Sequence, residues 1–265
     1  MHPQQRTDTP LRAGARDLIR CLDGSRVAHA VVSPAGAVPD NAQIVRAAAS
    51  YPDRLSAVVR LDPTSVSFVP DARMWAGAGA IGIRVSDDLD LGEPRGRAAI
   101  DALADVCLEL GLAVDWSFVI GSHHLVERVA VRAAGVRQVV DHVGWPGLDL
   151  RIGGGWLRDF QGVPSAALKL SGFYAMSREP WPYRDVWDLI EHALVALGPE
   201  RTMWGSDWPL ATEGELYSRQ LGVLDSIPFI AGDLRDWILG RTAELFWFGP
   251  RGEPPMPATS RDNII

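Results

Sequence analysis

The chain has 265 residues, 47% of them apolar, which is enough for a sizeable core and too many for a wholly disordered polymer. Its net charge is −7 and its Lys and Arg residues are scattered, so no basic stripe exists to meet a nucleic acid. No apolar run is long enough to span a bilayer, and the N-terminal residues show no apolar signal region, so a cytoplasmic protein without a membrane partner is expected.

Short apolar runs alternate with longer amphipathic ones, the pattern of repeated βα units around a parallel sheet. In chain order, strands are expected at Val27–Val32, Leu55–Leu61, Ile81–Val85, Leu112–Phe118, Val136–Val143, Ala166–Ser171 and Arg201–Ser206. Segments able to hold helices lie between them, among them Asn41–Ser50, Arg97–Leu110, Leu125–Ala134 and Tyr183–Leu197, with Gly111 and Gly198 as C-terminal stops. No linker divides the chain, so one domain is expected from Leu11 to Phe248, followed by a flexible Pro-, Arg- and Ser-containing tail, Gly249–Ile265. Seven parallel strands suit an open sheet or a barrel. A glycine-rich nucleotide loop after the first strand is absent, and Gly153-Gly154-Gly155 reads as a loop because it closes no buried strand. Cys21 and Cys107 fall in helical patterns and read as reduced core residues.

The run Trp204-Gly205-Ser206-Asp207-Trp208-Pro209 puts a carboxylate at the end of an apolar strand, just before a turn. A barrel presents a metal ligand or general base in this way, although Asp207 capping the next helix is an equal alternative. His142, closing the Val-rich run Val139–Gly144, is either a ligand or acid/base, or a core histidine satisfied by a neighbour. Strand alternation places Asp115 with Ser117 on one face, and Lys169 with Ser171. A cation inside an apolar strand is costly unless paired, so Lys169 needs a carboxylate such as Asp207, or a substrate anion. Arg84 fits the same logic, with a planar fork suited to a carboxylate. Arg178, on the following loop, is a second anion contact or a solvated charge. His123 and His124 read as surface or capping residues, and His29 and His192 have no visible partner. Trp116, Trp145, Trp181 and Trp208 suggest a flat, partly apolar pocket, or serve as packing.

The segments Leu55–Pro63, Gly79–Val85, Val139–Pro146, Leu168–Gly172 and Met203–Pro209 together resemble the amidohydrolase-related family. This is the branch of pyrone dicarboxylate lactonases, sugar lactonases and related metal-dependent decarboxylases, and the likeness runs in order from Leu11 to Phe248. The resemblance implies a (β/α)8 TIM-type barrel acting on a lactone, amide or carboxylate. It implies that Asp207 binds a metal or activates water, that His142 is a ligand or polarises the scissile carbonyl, and that Arg84 holds a substrate carboxylate. The family's first strand, with its His-x-His pair, has no counterpart, so a barrel apparently lacking its first strand is expected. Either the chain start was set downstream of the true one, or a divergent barrel is closed by a partner chain or its own tail. Gly240-Arg241-Thr242-Ala243 also stands where the family has an Asn before Ala, and Ser117 where some members place a histidine.

These residues lead to an expected hydrolase that opens a small carboxylate-bearing lactone or related ester. Asp207 would activate water and His142 would stabilise the oxyanion. Arg84, Lys169, Ser171, Arg178 and Asp115 would form the substrate side. A non-oxidative decarboxylase and a catalytically silent ligand-binding barrel are the alternatives. The cofactor is none or a divalent metal such as zinc. With only Asp207 and His142 as ligands, where a catalytic zinc takes three from protein, metal is expected to bind weakly or not at all. A homo-oligomer is compatible with the sequence.

Overall fold

The computed structural model describes residues 14–34, 40–86, 94–117, 135–145, 157, 160–210 and 217–249. The helix expected over Leu125–Ala134, the His123–His124 pair, Gly153-Gly154-Gly155 and the tail beyond Gly249 lie outside the described residues.

Among the described residues, seven strands form one parallel sheet in chain order: β1 (Ala30–Val32), β2 (Leu55–Arg60), β3 (Ala80–Ser86), β4 (Ala113–Ser117), β5 (Gln138–Val140), β6 (Ala166–Leu170) and β7 (Thr202–Trp204). The sheet curls into part of a barrel, with helices such as Pro94–Leu110 and Trp187–Leu197 in the connections. Strands buried on both faces must be apolar on both, which is why they read as continuous apolar runs rather than as alternating ones.

The two faces nevertheless carry different loads. Outward-facing Ile83, Val85, Val114, Trp116, Val140, Leu168 and Leu170 join Ile100, Leu103, Leu189 and Ile190 of the helices in the main core. Inward-facing Val58, Ala113, Val139, Ala167 and Met203 meet Phe246 and Trp247 of helix Thr242–Phe248 in a second, smaller cluster that floors the barrel. Gly82 belongs to this floor, since a Cβ there would lie 2.9 Å from the Ala113 carbonyl oxygen and 3.2 Å from Trp247. Two residues further along each strand the side chain returns to the same face. There the floor residues Gly82, Ala113, Val139 and Ala167 give way to Arg84, Asp115, Asp141 and Lys169. A charged layer therefore sits directly above an apolar floor.

Some boundaries differ from the sequence reading for local reasons. β1 begins at Ala30 rather than Val27, because the Val27 and Ala28 carbonyls accept from the Arg54 guanidinium instead of a neighbouring strand; the His29 ring Nδ1 lies 3.2 Å from the Asp53 carbonyl and Nε2 2.9 Å from Ser56 Oγ. β5 ends at Val140, and His142–Gly144 forms a 3-10 turn instead of continuing the strand to Val143. Tyr183 adopts φ +57°, so the helix expected from that residue starts properly at Trp187, after a 3-10 turn. Gly111 and Gly198 stop their helices with φ of +66° and +78°. His192 bonds through Nδ1 to the Asp188 carbonyl at 2.7 Å. Cys107 is buried and Cys21 half-buried; both are free thiols, and burial raises the Cys107 pKa. Among the described residues no helix is long and apolar enough to cross a membrane.

In the strand order β1 and β7 are the two ends. Both line a cavity of about 2190 Å³, which opens between them and reaches the charged layer.

Candidate active site

Two buried carboxylates and two largely covered cations define the centre. Arg84 on β3 donates from Nη1 to Asp115 Oδ2 at 3.0 Å, to Asp141 Oδ2 at 2.5 Å and to Ser33 Oγ at 3.0 Å. Lys169 on β6 places Nζ 3.0 Å from Asp115 Oδ1 and 2.7 Å from Asp141 Oδ1, and 5.8 Å from the Trp247 ring centre. The Asp115 side chain is 1% exposed and that of Asp141 5%. Two cations and two carboxylates thus close a neutral ring inside the barrel, the arrangement that makes buried charges tolerable.

The ring's electrostatics follow from burial set against pairing. Burial works against the Lys169 charge, yet Asp115 and Asp141 outweigh it and hold the ammonium above its ordinary pKa. Arg84 is likewise opposed by burial and raised by Asp141 and Asp115. Burial also opposes the Asp141 charge, but Lys169 and Arg84 prevail and keep it far below the carboxylate range. Asp115 moves the other way, pushed up by burial and by Asp141.

His142 and Asp207 flank this ring on turns beyond the strand ends. His142 is 7% exposed; its backbone N–H donates to Ser171 Oγ at 3.2 Å, and the same oxygen lies 3.0 Å from ring Nδ1. Trp145 lies against the imidazole, with ring centres 4.6 Å apart. Gly172, at φ +72°, lets the chain pass, because a Cβ there would lie 2.8 Å from His142 Nδ1. Asp207 is half-buried, and its Oδ2 accepts a hydrogen bond from Tyr174 Oη at 2.8 Å. His142 and Asp207 have φ of +53° and +52°. Non-glycine residues in this region cost on the order of 1–3 kcal/mol each, a strain that collects at functional sites.

Arg84, Lys169, Ser171, His142 and Asp207 therefore line one cavity, together with Asp141. Asp115 lies deeper, beneath both cations. Arg178 stands apart: its side chain is exposed and its backbone N–H donates to Asp185 Oδ2 at 2.7 Å. The carboxylates that pair with Lys169 are Asp115 and Asp141, while Asp207 is held by Tyr174. Sequence reasoning placed Asp141 among the polar residues at the strand ends without giving it a role, and did not single out Tyr174. Asp141 was legible as the acid beside His142, whereas nothing in local spacing marks Tyr174, whose partner is 33 positions away.

The donor set of the described residues does not fit a metal centre. Among the described residues no group of three or more His, Cys, Asp or Glu could hold an ion. Asp115 and Asp141 are spent on Arg84 and Lys169, and Asp207 Oδ2 on a phenol.

Residues 1–248 match the Amidohydrolase family. The 4-sulfomuconolactone hydrolase of Hydrogenophaga intermedia is 29% identical over 177 residues, 64% of this chain and 56% of that protein. The D-galactarolactone isomerase of Agrobacterium fabrum (strain C58 / ATCC 33970) is 28% identical over 176 residues, 64% of this chain and 57% of that protein. The matched part of the chain thus spans little more than half the length of these relatives. Among solved structures, a zinc-bound amidohydrolase from Burkholderia multivorans superposes with a TM-score of 0.76 at 20% identity, over 89% of this chain and 88% of that one, which shows the barrel fold. By its match over residues 1–248, the chain belongs to the amidohydrolase family.

Proposed function

We propose that the protein hydrolyses a small lactone that carries a carboxylate, with Asp207 as the general base towards water. The observation that carries this reading is the convergence of Asp207, His142, Arg84 and Lys169 on one cavity, with His142 and Asp207 on turns beyond the C-terminal strand ends, where barrels of this kind do their chemistry. Asp207 takes a proton from water, and the resulting hydroxide attacks the lactone carbonyl. The ring C–O bond then breaks, and its alkoxide takes up a proton to leave a hydroxy acid. His142 donates to the oxyanion: with the Ser171 hydroxyl proton directed at Nδ1, Nε2 carries the ring proton. Removing one such donor costs about 100- to 1,000-fold in kcat. Arg84 and Lys169, held by Asp115 and Asp141, form with Ser171 the polar wall of the cavity against which the substrate carboxylate lies.

The names of both curated relatives contain a lactone, although one is a hydrolase and the other an isomerase. The test is therefore a panel of carboxylate-bearing lactones, including 4-sulfomuconolactone, followed for acid release in a pH-stat and for lactone exchange by NMR. Asp207→Asn is expected to lower turnover by about 100- to 10,000-fold, the usual worth of a general base. Full activity in that variant would rule out the mechanism.

A further inference from the structure

We propose that Tyr174 is a positioning residue for Asp207, fixing the carboxylate through Oδ2 so that Oδ1 faces the attacking water. The inference rests on the reading of Asp207 as general base and deepens it.

Asp207 sits on a left-handed turn, half-exposed at the rim of the cavity. A carboxylate there would rotate about its side-chain bonds, whereas general-base catalysis needs its oxygen held to about 0.5 Å. Arg84 is close enough to feel the Asp207 charge, but the bonds from its Nη1 and from Lys169 Nζ go to Asp115 and Asp141 and do not fix the Asp207 carboxylate's orientation. The Tyr174 phenol does, donating at 2.8 Å from the turn after β6. A neutral donor restrains an anion while lowering its basicity less than a paired cation would.

The route by which Tyr174 arrives supports a built arrangement. The chain leaves β6 at Leu170, where Ser171 grips His142, and then turns at Gly172 with φ +72°. A side chain at 172 would strike the imidazole, so the conformation that clears His142 also launches helix Phe173–Met176 and brings Tyr174 to Asp207. One turn thereby sets both groups of the proposed chemistry: the oxyanion donor through Ser171 and the base through Tyr174.

The experiment compares wild type, Tyr174→Phe, Asp207→Asn and the double variant on 4-sulfomuconolactone and on dihydrocoumarin. Tyr174→Phe is expected to lower kcat about 10- to 100-fold with KM within about twofold, because the phenol acts on the base and not on the substrate. In the Asp207→Asn background the same change is expected to have no further effect, since the two residues act as a unit. A raised KM with unchanged kcat, or an equal loss in both backgrounds, would overturn the proposal. Tyr174→His, which keeps a ring donor, is expected to retain more kcat than Tyr174→Met, and this pair carries the test if the phenylalanine variant does not fold. A crystal structure of Tyr174→Phe gives a reading independent of turnover: the Asp207 carboxylate is expected in more than one orientation, and a single unchanged conformer would contradict the role. Should Asp207→Asn stay fully active, the general-base reading fails. Should it be inactive while Tyr174→Phe matches wild type, only the positioning role fails.

Discussion

Lys169 keeps its charge inside the barrel because two carboxylates face it at 2.7–3.0 Å. Removing one member of such a ring strands the others, and breaking a buried pair costs about 3–5 kcal/mol. Asp141→Asn, which leaves Lys169 and Arg84 sharing Asp115, is expected to lose stability in that range, measured by urea unfolding. The pH dependence has a definite sign. Lys169 is raised above its ordinary value of 10.5, so its contribution is fully present below that pH and is lost as pH rises through the raised pKa. The stability gap between wild type and Lys169→Met is therefore expected to be flat from neutrality to about pH 10.5 and to narrow above it. A gap that narrowed between pH 7 and 9 would contradict the pairing. The need for a partner was legible in the sequence, since a cation in an apolar strand is untenable alone. Its identity was not, because Asp115 and Asp141 reach Lys169 only through the registers of β4 with β5 and β5 with β6.

The elements were legible where burial dictates composition and illegible where a turn intervenes. Helix Asn41–Ser50 was read with its observed bounds, since Asp40 caps it by accepting from the Gln43 N–H at 2.8 Å. The run Val136–Val143 looked like one strand because it is apolar, yet the chain breaks at Asp141 and places His142 on a strained turn. That turn depends on its neighbour. Gly172→Ala is expected to cost about 1–2 kcal/mol for the left-handed backbone and, by displacing His142, to reduce turnover as well. An alanine variant with wild-type kcat and unfolding midpoint would show that the close approach does not matter. On β4, Trp116 is fully buried and donates from Nε1 to Gln138 Oε1 at 3.1 Å. Trp116→Ala is expected to destabilise by about 3–5 kcal/mol in thermal or urea unfolding, without a specific effect on KM.

For the whole molecule, the period of two along each strand builds an apolar floor, a neutral ring of charges and, above them, the turns that carry His142 and Asp207. The alternation of strands and helices made a parallel sheet legible, and the family resemblance made it a barrel. The depth of the charged layer was not, since it depends on which face of each strand turns inward. The cavity lined by β1 and β7 reaches that layer. The most direct measurement is the rate of lactone opening by wild type and Asp207→Asn across the carboxylate-bearing panel. Saturable turnover in the wild type, reduced about 100-fold or more in the variant with the fold intact, is the expected result. Equal rates in the two proteins, or no opening of any lactone by the wild type, would contradict the assignment of this site.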